Sequence, residues 1–385
     1  MAKAADTTEA PTETRAKPTG QAARITNLDA VRGVAVLGIL TMNVVSYGLG
    51  TEAYFNIDAG GSRTPLDWVI GGAGEIFADQ RFMGLFSMLF GAGIVLFADR
   101  AAAKGRRPAL FSLWRNLLLL LIGLAHAALW DGDVLTVYAL SAPVLVALRN
   151  LSPKRLVILG TAFVLLSPTA AAIAQTTIDA TGSGLGGYWY TDGAMSDAVG
   201  IFLLTDFFAR SIGMMLIGVA LYRTGIITGE RSPAFYRRMA RWGLGVGLPL
   251  AAIGVAIVVA NDFGPNVALI GAIPNSLGTI PATLGYLGLL TLWNLRPNGA
   301  LHARIHAVGR MALTNYLSQT VIGIAVLGGF FEPADLTRTW LAVFMVAVWA
   351  LQLWWSPEWL ARFRYGPAEW LWRCATYRSW QPLRR

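Results

Sequence analysis

The chain has 385 residues, 55% of them hydrophobic and only 14% charged, with a mean hydropathy of +0.52. That apolar share excludes an ordinary soluble domain, which needs far more polar surface to cover its core. The net charge of +9 belongs to membrane topology rather than nucleic acid, as its placement below argues, and the single cysteine, Cys374, excludes intramolecular disulfides and multi-cysteine metal sites.

Residues 1–24 are rich in Ala, Thr, Pro and Glu, lack an apolar core, and read as a disordered cytoplasmic tail. Ten apolar runs then follow, at 33–52, 83–98, 110–130, 134–149, 156–175, 198–222, 242–261, 267–293, 311–330 and 339–360. A helical run of about 20 residues crosses the roughly 30 Å of a hydrocarbon core. The continuous apolar segments exclude a closed barrel, whose strands alternate. The expected fold is an all-α, polytopic integral membrane helical bundle of about 10 transmembrane helices over residues 25–361. Pro274 and Pro281 predict a kink or break in the eighth span. Residues 362–385 read as a cytoplasmic interfacial segment, and the Trp and Tyr clusters at 187–190, 354–359 and 370–380 fit interfacial belts.

With the N-terminus inside, all but four of the 31 Lys and Arg fall in tails, loops and span ends on one side. The exceptions are Arg63, Arg81 and Arg338 opposite, and Arg210 within a span. This positive-inside bias predicts both termini in the cytoplasm and membrane lipids as partners.

Polar residues then stand out against the apolar background. The third span ends in "LIGLAHAALWDGDVL" (121–135), which places His126 about 24 Å along it, near the outer surface. His126 and Trp130 share a helix face, and Asp131 and Asp133 sit in the turn that follows. A lone titratable base at a polar mouth is a candidate general base, with either aspartate as its orienting carboxylate. Asp206 and Arg210, one turn apart in the sixth span, predict a buried ion pair. Asn43, Asn315 and Gln319 form either a polar path or interhelical hydrogen-bond glue. Arg32, Arg115 and Arg310 begin spans on the inner side, as phosphate partners or as interfacial anchors. The first outer loop, 53–80, is acidic. His302 and His306 read as surface residues of an inner loop. "FGAGIVLF" is a small-residue packing patch, and "GSGLGG" at 182–187 has no preceding strand to make it a phosphate loop. No motif predicts a metal.

Six segments carry a family resemblance: "RITNLDAVRGVAVLGILTMNVVSYG", "RFMGLFSMLFGAGIVLF", "GLAHAALWDGDVLTVYAL", "GMMLIGVALYRTGI", "VGRMALTNYLSQTVI" and "RYGPAEWLWRCATY". In this order, over residues 24–378, they resemble the YeiB-like family of bacterial inner-membrane proteins, a domain of unknown function loosely described as transport-related. This implies a multi-pass protein of the bacterial plasma membrane. "LDAVRG…MNVV" is also similar to membrane acyltransferases of the heparan glucosaminide acetyltransferase type, which pass acyl groups from cytoplasmic acyl-CoA to sugars on the far side. That resemblance aligns Leu28, Asp29, Arg32, Gly33 and Asn43 with their opening motif. Their catalytic histidine, however, corresponds to Tyr54, so His126 would have to serve as base.

Three functions are therefore in view. A transmembrane acyltransferase would bind acyl-CoA at Arg32, Arg115 and Arg310 and pass the pantetheine arm by Asn315, Gln319 and Asn43. His126 with Asp131 or Asp133 would activate an extracytoplasmic acceptor, and Asn43 would donate to the oxyanion. A transporter of a small solute would use Asp206, Arg210 and His126 as a relay. A non-catalytic scaffold would leave the buried pair idle.

Overall fold

The computed structural model describes residues 26–105, 107–296 and 299–385; the expected tail, 1–24, lies outside them. In chain order the helices are α1 Thr26–Gly48, α2 Glu52–Phe55, α3 Pro65–Ala73, α4 Arg81–Ala102 and α5 Pro108–Ala127. After these come α6 Val134–Leu148, α7 Pro153–Gln175, α8 Asp197–Arg223, α9 Pro233–Ala260 and α10 Ala272–Asn294. The last four are α11 Ala300–Arg310, α12 Ala312–Gly323, α13 Arg338–Arg362 and α14 Pro367–Tyr377. Only isolated bridges interrupt this all-helical pattern among the described residues. Several starts are written locally: Ser152, Ser196, Ser232 and Thr337 each accept a bond from a backbone N–H of the first turn, which satisfies an otherwise orphaned donor.

Each of the ten apolar runs contains a helix, and the chain is a helical membrane protein. Eight helical segments are long and apolar enough to cross a bilayer. α11 and α12 meet at an 85° bend and make a ninth span only if counted together. α6, at 15 residues, is about 22 Å long and falls short of the hydrocarbon thickness. The eighth run is a single helix, α10. Pro274 falls in its first turn, where no intrahelical donor is lost, and only Pro281 lies in its interior.

Glycines set the spacing between helices. A Cβ on Gly91 would stand 2.2 Å from the Met215 carbonyl oxygen, and one on Gly218 2.1 Å from that of Met88. α4 and α8 therefore pack backbone to backbone through the "FGAGIVLF" stretch, and Gly243 and Gly247 bring α9 equally close to α10.

The acidic segment 53–80 is mostly helical rather than a loop. Thr64 and Asp67 form a capping box at the start of α3, and Asp67 also accepts from Thr339 N at 2.8 Å. Two of the three arginines set against the charge rule, Arg338 and Arg81, are clamps in this region. Arg338 donates to Ala53 O at 2.8 Å and Ser62 Oγ at 3.0 Å. Arg81, fully buried, donates to Asp79 O and Asn275 Oδ1. The aromatics at 187–190 do not form an interfacial belt: Tyr188 and Trp189 are buried, and Trp189 donates to Phe263 O at 2.8 Å.

Candidate functional site

The short α5–α6 hairpin holds the candidate base inside the bundle. His126 lies in the last turn of α5, and Asp133 is the N-cap of α6, accepting from Leu135 N at 3.1 Å and Thr136 N at 2.7 Å. Asp133 Oδ1 also meets His126 Nδ1 at 2.8 Å. Burial alone would raise the Asp133 carboxyl, but the bonds from His126, Thr136 and Leu135 outweigh it and hold the group below its ordinary value. It is therefore ionised at neutral pH and fixes the Nδ1–H tautomer of His126. That leaves Nε2 as the basic nitrogen, and it is buried with no hydrogen-bond partner. A carboxylate–imidazole pair with a free second nitrogen is the arrangement of a general base. Asp131 is exposed, so Asp133 is the orienting carboxylate.

Tyr316, on α12, connects this dyad to a cavity. Its hydroxyl donates to Asp133 Oδ1 at 3.4 Å and accepts from Val134 N at 3.2 Å. Its ring centroid lies 5.1 Å from that of His126. Tyr316 and Leu135 also line a cavity of about 380 Å³ whose other end holds six basic side chains, Arg32, Arg100, Lys104, Arg115, Arg310 and Arg373. Between the two ends the walls are Phe86, Leu89, Phe90, Gly93, Ile94 and Leu119. Arg115 and His126 are eleven residues apart on α5, about 16 Å along its axis.

The basic mouth is built by the C-terminal segment as well as by the spans. Trp372 on α14 stacks on the Arg115 guanidinium at 4.1 Å, and Phe97 covers the same guanidinium at 4.6 Å, so this cation is held by two aromatic faces. Glu369 also lines this mouth; it accepts from Leu313 N at 2.7 Å, Thr314 N at 3.1 Å and Thr314 Oγ1 at 2.5 Å. A carboxylate there satisfies the start of α12 and complements its dipole. Burial nevertheless outweighs those bonds and raises the Glu369 carboxyl above its ordinary value. Asp29 lines the mouth and pairs with Arg32 at 3.3 Å.

The other expected path residues lie elsewhere. Asn315 donates to Val308 O and Ser356 Oγ and accepts from Trp355 Nε1 at 2.7 Å. Gln319 donates to Val36 O at 2.9 Å and Gln352 Oε1 at 3.0 Å. These bonds join α12 to α1 and α13, and neither residue lines the cavity. Asn43 is buried beside the dyad's neighbours: its carbonyl accepts from Ser46, whose hydroxyl accepts from Trp130 Nε1 at 3.2 Å.

Asp206 and Arg210 form a second, separate site. They pair at 2.6 Å, both buried, with Ser167 donating to Asp206. A small cavity of about 90 Å³ beside them is lined by Tyr54, Glu75 and Asp79. Arg210 keeps Nε and Nη1 without partners.

Tyr316, Glu369 and Trp372 were not singled out from the sequence. "LTNYLSQ" drew attention to its amides, although Tyr316 is the residue of that stretch that faces the dyad. Residues 362–385 read as an interfacial segment, not as the wall of a site.

A family described as "Protein of unknown function (DUF418)" matches residues 221–379. The chain is 34% identical to the "Uncharacterized protein YeiB" of Escherichia coli (strain K12), over 93% of this chain and 98% of that one. It is 31% identical to the "Uncharacterized protein YxaH" of Bacillus subtilis (strain 168), over 95% and 98%. A third relative, an "Uncharacterized 39.9 kDa protein in amylase 3'region" of Bacillus acidopullulyticus, is 27% identical over 94% and 96%. With more than nine-tenths of both chains aligned at this identity, the protein belongs to the YeiB-like DUF418 family.

Proposed function

We propose that this protein is a transmembrane acyltransferase of the bacterial plasma membrane. It would take an acyl group from cytoplasmic acyl-CoA and transfer it to a hydroxyl or amine of an extracytoplasmic acceptor, such as a sugar. The observation that carries this reading is the single cavity that has six cations at one end and Tyr316, in contact with the His126–Asp133 dyad, at the other. Cationic forks suit the phosphates of coenzyme A. The apolar, aromatic walls suit an extended pantetheine arm, and the 16 Å separation along α5 is one that arm spans.

In the proposed reaction, Nε2 of His126 takes the proton of the acceptor as its oxygen or nitrogen attacks the thioester carbonyl. The carbon–sulfur bond breaks, and the imidazolium returns the proton to the departing thiolate. The products are acylated acceptor and free coenzyme A, with His126 neutral again. Asp133 holds the ring and stabilises its transient positive charge. The orientation this requires has both termini and the basic mouth in the cytoplasm. Reporter fusions at residue 385 and within 223–241 are expected to read cytoplasmic, and fusions within 179–197 extracytoplasmic; a C-terminus outside would remove the donor from its mouth.

Gly93 offers a test of the donor site. It lines the cavity, and a Cβ built on it meets nothing within 4 Å. Gly93→Phe is expected to fill the channel and cut acetyl-CoA affinity at least tenfold, with melting temperature near the parent's. Neutralising Arg310 and Arg373 together is expected to weaken binding of coenzyme A itself. Calorimetry on the detergent-solubilised protein reads both, and unchanged affinity in both variants would dissociate the cavity from acyl-CoA.

The buried pair and the small cavity beside it, which Glu75 and Asp79 also line, favour a second reading, a small-solute transporter. An intramembrane ion pair with unpartnered guanidinium donors suits substrate or proton relay. Solute flux lost in an Asp206 variant, with no acyl transfer in the parent, would support it.

A further inference from the structure

His302 and His306 are i and i+4 on α11, and this spacing puts both rings on one helix face. Their Nε2 atoms stand 3.1 Å apart. Asn294, the last residue of α10, places its Oδ1 2.8 Å from the first and 2.9 Å from the second. The amide is aimed there by its own support: Asn294 Nδ2 donates to Asn27 Oδ1 at 3.1 Å. Asn27 is anchored in turn, donating to Ile227 O at 2.9 Å and Thr291 Oγ1 at 3.1 Å. The His302 ring also packs edge-on against Trp293, with centroids 4.7 Å apart. All three donor residues are half-buried.

The geometry points to a site for a divalent transition-metal ion of the Cu²⁺ or Ni²⁺ type, with His302 Nε2, His306 Nε2 and Asn294 Oδ1 as three adjacent ligands. Ligands at about 2.1 Å and right angles around one ion stand about 3 Å apart, which is the size of this triangle. A tetrahedral zinc ion would spread its ligands to about 3.4 Å. Imidazole nitrogens suit copper and nickel, and Asn27 supplies the outer bond that orients a metal-ligand group. The amide oxygen stands where a carboxylate would stand in a permanently charged site; among the described residues no group of three His, Cys, Asp or Glu could hold an ion. The site would thus bind an exchangeable ion rather than a structural one. An ion there would staple α11 to α10, and α11 ends in Arg310 at the cavity mouth.

The test uses the full-length protein in detergent, purified without a polyhistidine tag, and titrated with Cu²⁺ and with Ni²⁺ by calorimetry. The copper complex is also read by electron paramagnetic resonance. One ion per chain is expected, with hyperfine coupling to two imidazole nitrogens. His302→Ala and His306→Ala should each weaken binding by more than about tenfold, and Asn27→Ala, which keeps every ligand, by about tenfold. His126→Ala should bind as the parent does, because these are the only three histidines in the chain. Melting curves without metal check that the variants fold. If an alanine variant does not, His302→Gln should still reduce the resonance pattern from two nitrogens to one. A parent that binds neither ion stoichiometrically, or histidine variants that retain parental affinity and both nitrogens, would overturn the assignment.

Discussion

Replacing His126 with Gln is expected to lower acyl transfer by about a hundred- to ten-thousand-fold, the range for loss of a positioned general base. Glutamine keeps approximate size and can still meet Asp133, which accepts from His126 at 2.8 Å and from two backbone N–H groups. What it lacks is a basic nitrogen where Nε2 stands. Melting temperature and acetyl-CoA affinity should stay near the parent's, because the cavity walls are unchanged. Asp133→Asn should also impair turnover, since an amide nitrogen turned towards the ring would favour the wrong tautomer, and it should cost stability through the weakened cap of α6. Asp131→Asn, on an exposed side chain, should do neither. Single-turnover transfer assays on the three variants separate these roles. A fully active His126→Gln would make the histidine structural.

The second large effect is expected at the buried pair. Asp206→Ala strands the Arg210 guanidinium, 5% exposed, which already has two donor nitrogens without partners. Removing one partner of a buried pair costs about 3–5 kcal/mol. The double change, Asp206→Ala with Arg210→Ala, should cost less than Asp206→Ala alone, because no charge remains uncompensated. The coupling energy from a double-mutant cycle in denaturant or thermal unfolding decides this. Simple additivity would mean that the 2.6 Å contact carries no energetic interaction.

Much of this architecture was legible in the chain. Apolar runs gave the helices, since each span must satisfy its own backbone in lipid, and "FGAGIVLF" gave a packing patch, whose partner, α8, only the fold shows. The i, i+4 spacing gave Asp206 with Arg210, and proximity in sequence gave His126 with an aspartate. Periodicity did not reveal depth. The α5–α6 turn reads as an open polar mouth, whereas His126 and Asp133 are buried in it and Asp133 meets Tyr316. Nor did it reveal which polar residues face each other across helices. Of the two readings of Asn315 and Gln319, path or interhelical glue, the bonds to Gln352, Trp355 and Ser356 on α13 fit the second, and nothing in that Trp-rich run marks these partners. Segment 53–80 looked like a loop because its helices are too short for a span, although "TPLD" carried a capping signal. His302 and His306 looked like surface residues because their meeting with Asn294 at the end of α10 is a tertiary fact.

The most direct measurement of the central claim uses inverted membrane vesicles from cells producing the protein, with radiolabelled acetyl-CoA supplied on the outside, the cytoplasmic face. The account predicts that label leaves coenzyme A and accumulates on material inside the vesicles, in the parent and the Asp131→Asn variant but not in His126→Gln. Label that stays on coenzyme A, or internal label that is equal in vesicles lacking the protein, would contradict acyl transfer through this cavity.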